Sequence, residues 1–108
     1  MKKTKDAIQE NFKYFTDNHG DIYKAYSAYG KAIDEDGGPL EEKTRRLIKV
    51  AISATIQNEY SLTTHMKKAL KAGCSLEEIE HTLLLTAPTV GFPAMMRALM
   101  SLRKEIDQ

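Results

Sequence analysis

Apolar residues recur along this chain at helical spacing, and no stretch alternates with the two-residue period of a half-buried strand. In residues 4–18 (TKDAIQENFKYFTDN), Ile8, Phe12 and Phe15 fall at i, i+4 and i+7, one face of a helix. His19-Gly20-Asp21 breaks that pattern, and residues 21–34 resume it with Ile22, Tyr23, Tyr26, Tyr29 and Ile33. Asp36-Gly37-Gly38-Pro39 is the strongest breaker in the chain. A third helix is expected from Leu40 to Ile56, with Glu41 and Glu42 in its first turn, where the helix dipole favours anions. Its second half (LIKVAISATI) is apolar on nearly every side, which predicts a central position. Residues 59–72 form a fourth helix closed by Gly73. Ser75-x-x-Glu78 is a capping-box signature opening a fifth, expected to run until Pro88. Gly91-Phe92-Pro93 separates it from a last helix, Ala94 to Ile106, striped by Met95, Ala98, Leu99 and Leu102. The pattern predicts an all-α bundle of about six helices.

The fifth helix carries more apolar surface than one core can use. Leu83, Leu84 and Leu85 point 100° apart, so if Ile79, Leu83 and Ala87 face the core, Leu84 or Leu85 must face elsewhere. With FPAMM nearby, this suggests an interface between copies of the chain; the alternative is a helix buried all round.

Composition bounds the rest. The 108 residues fit one domain, 1–108, with 42% hydrophobic and 29% charged residues. Sixteen Lys/Arg against fifteen Asp/Glu leave a net charge of +1, which gives no basic field for nucleic acid. Apolar runs are too short to span a membrane, and MKKTKDAIQENF lacks the apolar core of a signal peptide, so a cytoplasmic protein is expected. Cys74 is alone, excluding an intrachain disulfide, and its place after Gly73 reads as a small residue in a tight turn. His19, His65 and His81 lie on different elements with no ligand spacing, so no metal site is expected.

Candidate chemistry centres on QNEYSLTTHMKKAL, residues 57–70. Projected as a helix, Leu62, Met66, Ala69 and Leu70 share one side, and His65 falls within that apolar arc beside Asn58 and Ser61. A polar trio in an apolar stripe is a local violation of the kind found at functional sites. His65 is then either a core histidine bonded to a neighbour such as Ser61 or Glu80, or a catalytic group. Ser61 activated by His65 as base is possible on one helix face, but no glycine-rich elbow or oxyanion hole accompanies it.

The run from TRRLIKVAISA through NEYSLTTHMKKALKAGCSLEEIEHTLLLTAPTVGFPAMMRAL resembles the carboxymuconolactone decarboxylase-like family, which includes alkylhydroperoxidase D, over about residues 40–99. The resemblance implies an alkylhydroperoxidase D-like helical bundle assembled as a homo-oligomer, trimer or hexamer. In the peroxidase branch a Cys-x-x-Cys precedes the histidine; those positions here are Asn58 and Ser61. The proton-relay glutamate of that branch falls at Arg46. Neither an amide nor a hydroxyl can cycle between thiolate and disulfide, so thiol peroxidase chemistry is not expected. The decarboxylase branch lacks those cysteines too and resembles this chain at Thr44-Arg45, Leu62 and His65, with Glu59 left from a charged segment before the histidine.

The resemblance implies decarboxylation of a carboxylated unsaturated lactone without a cofactor, His65 acting as proton donor. Asn58, Ser61 and Glu59 are the expected substrate contacts, and Arg45 or Arg46 the clamp for a small carboxylate or lactone ligand, unless both arginines are simply solvated. The alternative is a relative that binds a ligand without turnover.

Overall fold

A computed structural model describes residues 4–107, and among these every regular element is helical. The chain divides into two compact units, one ending at Pro39 and one beginning at Leu40.

The first unit is a helical hairpin, α1 (Thr4–Asn18) and α2 (Gly20–Asp36). The break between them is narrower than the sequence suggests. It is His19 alone, and helical hydrogen bonding runs on through it from His19 N–H to Phe15 C=O and from Tyr23 N–H to His19 C=O. The hairpin is closed by aromatic edges: Tyr23 packs perpendicular to Phe12 at 5.4 Å and to Phe15 at 6.2 Å between ring centroids. No residue of α2 is buried.

The second unit holds α3 (Glu42–Thr55), α4 (Glu59–Lys71), α5 (Leu76–Leu84), α6 (Ala87–Val90) and α7 (Phe92–Ile106). Each long helix gives one stripe to a shared core. Val50 and Ala54 come from α3, Leu62, Met66 and Ala69 from α4, Ile79 and Leu83 from α5, Ala98 and Leu102 from α7. Cys74 completes this cluster, its thiol 3.6 Å from the Lys43 carbonyl, the packing role expected for it. Ile79 and Leu83 are fully buried while Leu84 and Leu85 face outward, as the three-leucine run requires.

The expected fifth helix is two. It stops at Leu84, and the Thr86 hydroxyl turns back to the Leu83 carbonyl at 2.7 Å. Pro88 then sits in the first turn of α6, and Pro93 in that of α7, positions where a missing N–H costs nothing. Proline here opens helices rather than ending them, which is why α7 begins at Phe92 and not Ala94. The capping box at α5 is complete: Ser75 Oγ accepts from Glu78 N–H at 3.0 Å and Glu78 Oε1 accepts from Ser75 N–H at 2.8 Å.

Helices α3 and α4 end on the same device. At α4, Gly73 N–H bonds Leu70 C=O and Cys74 N–H bonds Ala69 C=O, with Gly73 at φ +100°. At α3, Gln57 N–H bonds Ala54 C=O and Asn58 N–H bonds Ser53 C=O, with Gln57 at φ +57°. This double closure requires a left-handed residue. Glycine adopts it freely, whereas a side chain there costs about 1–2 kcal/mol. Gln57→Gly is therefore expected to raise unfolding stability by about 1 kcal/mol, and Gly73→Ala to lower it by a similar amount. Urea midpoints of the two variants should move in opposite directions. Open space around Gly73 leaves backbone conformation as the cause there.

Candidate functional site

Three residues, Ile56–Asn58, join α3 to α4, so the two helices run antiparallel side by side. Asn58 does not lie on the helix face. It is the N-cap of α4, its Oδ1 accepting from Ser61 N–H at 3.0 Å. Ser61 in turn directs its hydroxyl across the seam to Ser53 of α3, 2.8 Å away, and not to His65. Of the partners considered for His65, Ser61 is thus taken by Ser53.

From that serine contact the two helices diverge in sequence but keep pace in space. Positions 53, 49 and 46 ascend α3 as 61, 65 and 68 ascend α4, each series stepping by three or four residues along one face. His65 therefore sits among side chains that the same-helix projection left out. The charges that bear on it are Lys68, Lys49 and Arg46, all positive. Its ring is half-buried, and Nδ1 is fully buried with no hydrogen-bond partner among the described residues. An orphaned polar atom of this kind costs about 1–3 kcal/mol. Burial first, then the three cations, push the His65 pKa below its ordinary 6.5, so the imidazole is neutral at pH 7.

The two arginines separate clearly. Arg46 is close enough to act on His65. Arg45 donates from Nη1 to the Leu40 carbonyl, tying down the start of α3. Glu80 is exposed. Cys74 is buried away from any reactive setting; burial and then the Glu78 carboxylate push its thiol pKa up, opposite to the shift of a reactive cysteine.

Asn58 and Glu59 belong to a different feature. Together with Gln57 and Leu62 they face α7 across a cavity of about 350 Å³. His65, Ser61, Arg45 and Arg46 do not line it. The expected site residues thus divide between the α3–α4 face and this α4–α7 cavity. Sequence reasoning missed Lys49 and Lys68 on the first and Arg97 and Lys104 on the second. The first pair was detectable, because antiparallel register places 49 opposite 65 and 46 opposite 68. Among the described residues no three His, Cys, Asp or Glu side chains cluster closely enough to hold a metal ion, and no helix is long and apolar enough to cross a membrane.

Comparison with known proteins agrees with this architecture. The sequence profile of the carboxymuconolactone decarboxylase family matches residues 20–104, which reaches beyond the 40–99 core into α2. The chain belongs to the carboxymuconolactone decarboxylase family. Two uncharacterized proteins of Methanocaldococcus jannaschii are similar to it along most of their length. MJ1511 is 27% identical over 89 residues, 82% of each chain. MJ0742 is 30% identical over 96 residues, 88% of this chain and 91% of the relative. The crystal structure of an apo carboxymuconolactone decarboxylase family protein from Legionella pneumophila superposes with a TM-score of 0.83 at 24% identity, covering 95% of this chain and 93% of that one. It has the same fold.

The His65 environment has a measurable consequence. Its pKa in the folded protein lies below the unfolded value of 6.5, so the unfolded chain binds the proton first as pH falls. Stability is unaffected above about pH 6.5 and declines as pH drops from there through the folded pKa. NMR titration of the His65 ring should give a midpoint below 6.5. In His65→Gln, the part of the acid-side stability loss beginning near that pH should disappear.

Proposed function

We propose that this chain is a cofactor-independent carboxy-lyase acting on a small carboxylated, unsaturated lactone, with the α3–α4 face as its reaction surface and His65 as its proton carrier. The observation that carries this is the buried, unpartnered Nδ1 of His65 beneath Lys68, Lys49 and Arg46. A neutral imidazole beside three cations is poised for an anion. An arriving carboxylate offsets the cations that depress the His65 pKa, so ligand binding itself favours proton uptake by the ring. As the C–C bond to the carboxylate breaks, its electron pair passes into the conjugated lactone carbonyl, and the cations stabilise the resulting oxyanion. His65 gives its proton to carbon, carbon dioxide leaves, and the ring is neutral again. Arg46 rather than Arg45 is the expected clamp for the substrate carboxylate.

A second reading, ligand binding without turnover, is favoured by one specific observation. Asn58 and Ser61, which stand where the peroxidase branch keeps its cysteines, are occupied in capping α4 and in bonding Ser53. They hold the helix pair together and offer no redox chemistry, so thiol-dependent peroxide reduction is not part of either reading.

The same proposal takes the working form as a homo-oligomer. Ile48 and Ile52 on α3 with Ile56 just past its end, and Phe92, Met96 and Met100 on α7, form two stripes at i, i+4 and i+8 whose members are 42–63% exposed. Such stripes are poorly suited to water and well suited to a second copy. A cytoplasmic setting fits the unpaired thiol of Cys74.

Turnover is read as carbon dioxide release from a carboxylated unsaturated lactone. His65→Gln should lower it at least a hundredfold while leaving circular dichroism and sedimentation unchanged. Release unaffected by His65→Gln would overturn the lyase reading. A ligand that raises the melting temperature of the unaltered chain without any release would favour the binding reading. Sedimentation should find an oligomer that Ile52→Asp splits; a monomeric unaltered protein would rule out assembly.

A further inference from the structure

The cavity between α4 and α7 is absent from the account of His65, and its construction is specific. Along α7, Ala94, Ala98 and Ser101 follow one stripe and supply a floor of small side chains, which is why space remains there. Two longer cationic side chains border that stripe. At one end Lys104 reaches Glu59 of α4 at 3.9 Å, so that cation is already paired. Beside the stripe, between Ala94 and Ala98 in sequence, Arg97 lines the cavity and makes no hydrogen bond or ion pair among the described residues. The opposite wall combines the apolar side chain of Leu62 with the amides of Gln57 and Asn58.

Two features mark this as more than a packing defect. Formal charges at the lining, Arg97 and Lys104 against Glu59, sum to +1, the complement of one carboxylate. Gln57 holds a left-handed backbone that glycine would adopt at lower cost, and its side chain lines the cavity. Strain kept at a cavity wall is a pointer towards function. Guanidinium binds a planar carboxylate through two parallel N–H bonds, and an exposed one lining a partly apolar recess is suited to do so. A volume of about 350 Å³ is at the small end of ligand sites, which run from about 300 to 1,000 Å³.

We propose that this cavity is a second ligand site, binding a small monocarboxylate with a short apolar body, its carboxylate on Arg97 and its body against Leu62 and Ala98. The site does not depend on the reading of His65, since none of the groups acting on that ring lines it.

Benzoate is a suitable probe and benzamide its uncharged control, followed by backbone amide NMR shifts on the full chain. Benzoate should shift residues 57–62 and 94–101 saturably, with benzamide at least tenfold weaker. Arg97→Gln should raise the benzoate Kd at least tenfold, Arg97→Lys by less, and His65→Gln should leave it unchanged. Arg97 is exposed, so both substitutions are expected to fold. The proposal is overturned if benzoate does not bind at millimolar concentration, if benzamide binds as well, or if Arg97→Gln leaves the Kd unaltered. Shifts centred on residues 46, 49, 65 and 68 would also overturn it, by placing the anion on the His65 face instead.

Discussion

The three-residue link from Ile56 to Asn58 is the constraint on which both candidate sites depend. It closes α3 with a left-handed Gln57 and opens α4 with the Asn58 cap, so the last turn of one helix and the first turn of the next are locked together by backbone bonds. Ser53 and Ser61 are thereby brought to 2.8 Å, and from that fixed point the helical repeat carries Arg46 and Lys49 to the level of Lys68 and His65. The same link turns Gln57 and Asn58 towards α7. A change of one residue in its length would rotate α4 by about 100° and dismantle both arrangements together.

This dependence explains why the seam between α3 and α4 has two characters. On one side Val50, Ala54, Leu62, Met66 and Ala69 close on the core contributed by α5 and α7. On the other, buried Ser53 meets half-buried Ser61, and the cations of Lys49 and Lys68 stand exposed beyond them. The orphaned Nδ1 of His65 lies at the boundary, buried by the packing but denied a bond by it. An aliphatic residue would spare that cost, which is of the same order as the strain at Gln57. Two local departures from the most stable choice, one in the link before α4 and one midway along it, are what a scaffold carrying sites is expected to show.

Helices were legible in the sequence because their apolar stripes are long, and Ile79, Leu83, Leu62 and Met66 are buried where periodicity places them. Leu70 shares the apolar arc yet lies exposed near the end of α4, and in the first unit the stripe residues Ile8, Phe12, Ile22, Tyr26, Tyr29 and Ile33 are all exposed. Pro88 misled because proline is equally at home just inside a helix and just beyond one. For the site, Asn58, Ser61 and His65 could be grouped from one helix alone, but their bonds could not. Which serine partner Ser61 takes, and whether Arg45 or Arg46 approaches His65, depends on the register between two helices. Adjacent residues point 100° apart, so only that register separates a clasp on Leu40 from a charge beside the imidazole. The cavity was invisible for a further reason: it is made by what Ala94, Ala98 and Ser101 lack.

Arg46 adds to a depression of the His65 pKa that burial, Lys68 and Lys49 already set. The family resemblance places at position 46 the acidic relay of the peroxidase branch, and a carboxylate beside an imidazole raises its pKa and keeps its proton. Arg46 does the reverse, and Lys49 and Lys68 act in the same sense. The reversal is consistent with the two missing cysteines. A thiol site needs a group that can receive a proton from a thiol and return it to a leaving oxygen. Without a thiol that relay has no task, and Arg46 leaves positive charge near the ring in its stead. Asn58 and Ser61 cannot perform cysteine redox chemistry, and Arg46 places a cation where that branch has an acid. Ser61 and Arg46 belong to the α3–α4 face, whereas Asn58 caps α4 on the side of the α7 cavity, so the departures from the peroxidase pattern are spread over two surfaces.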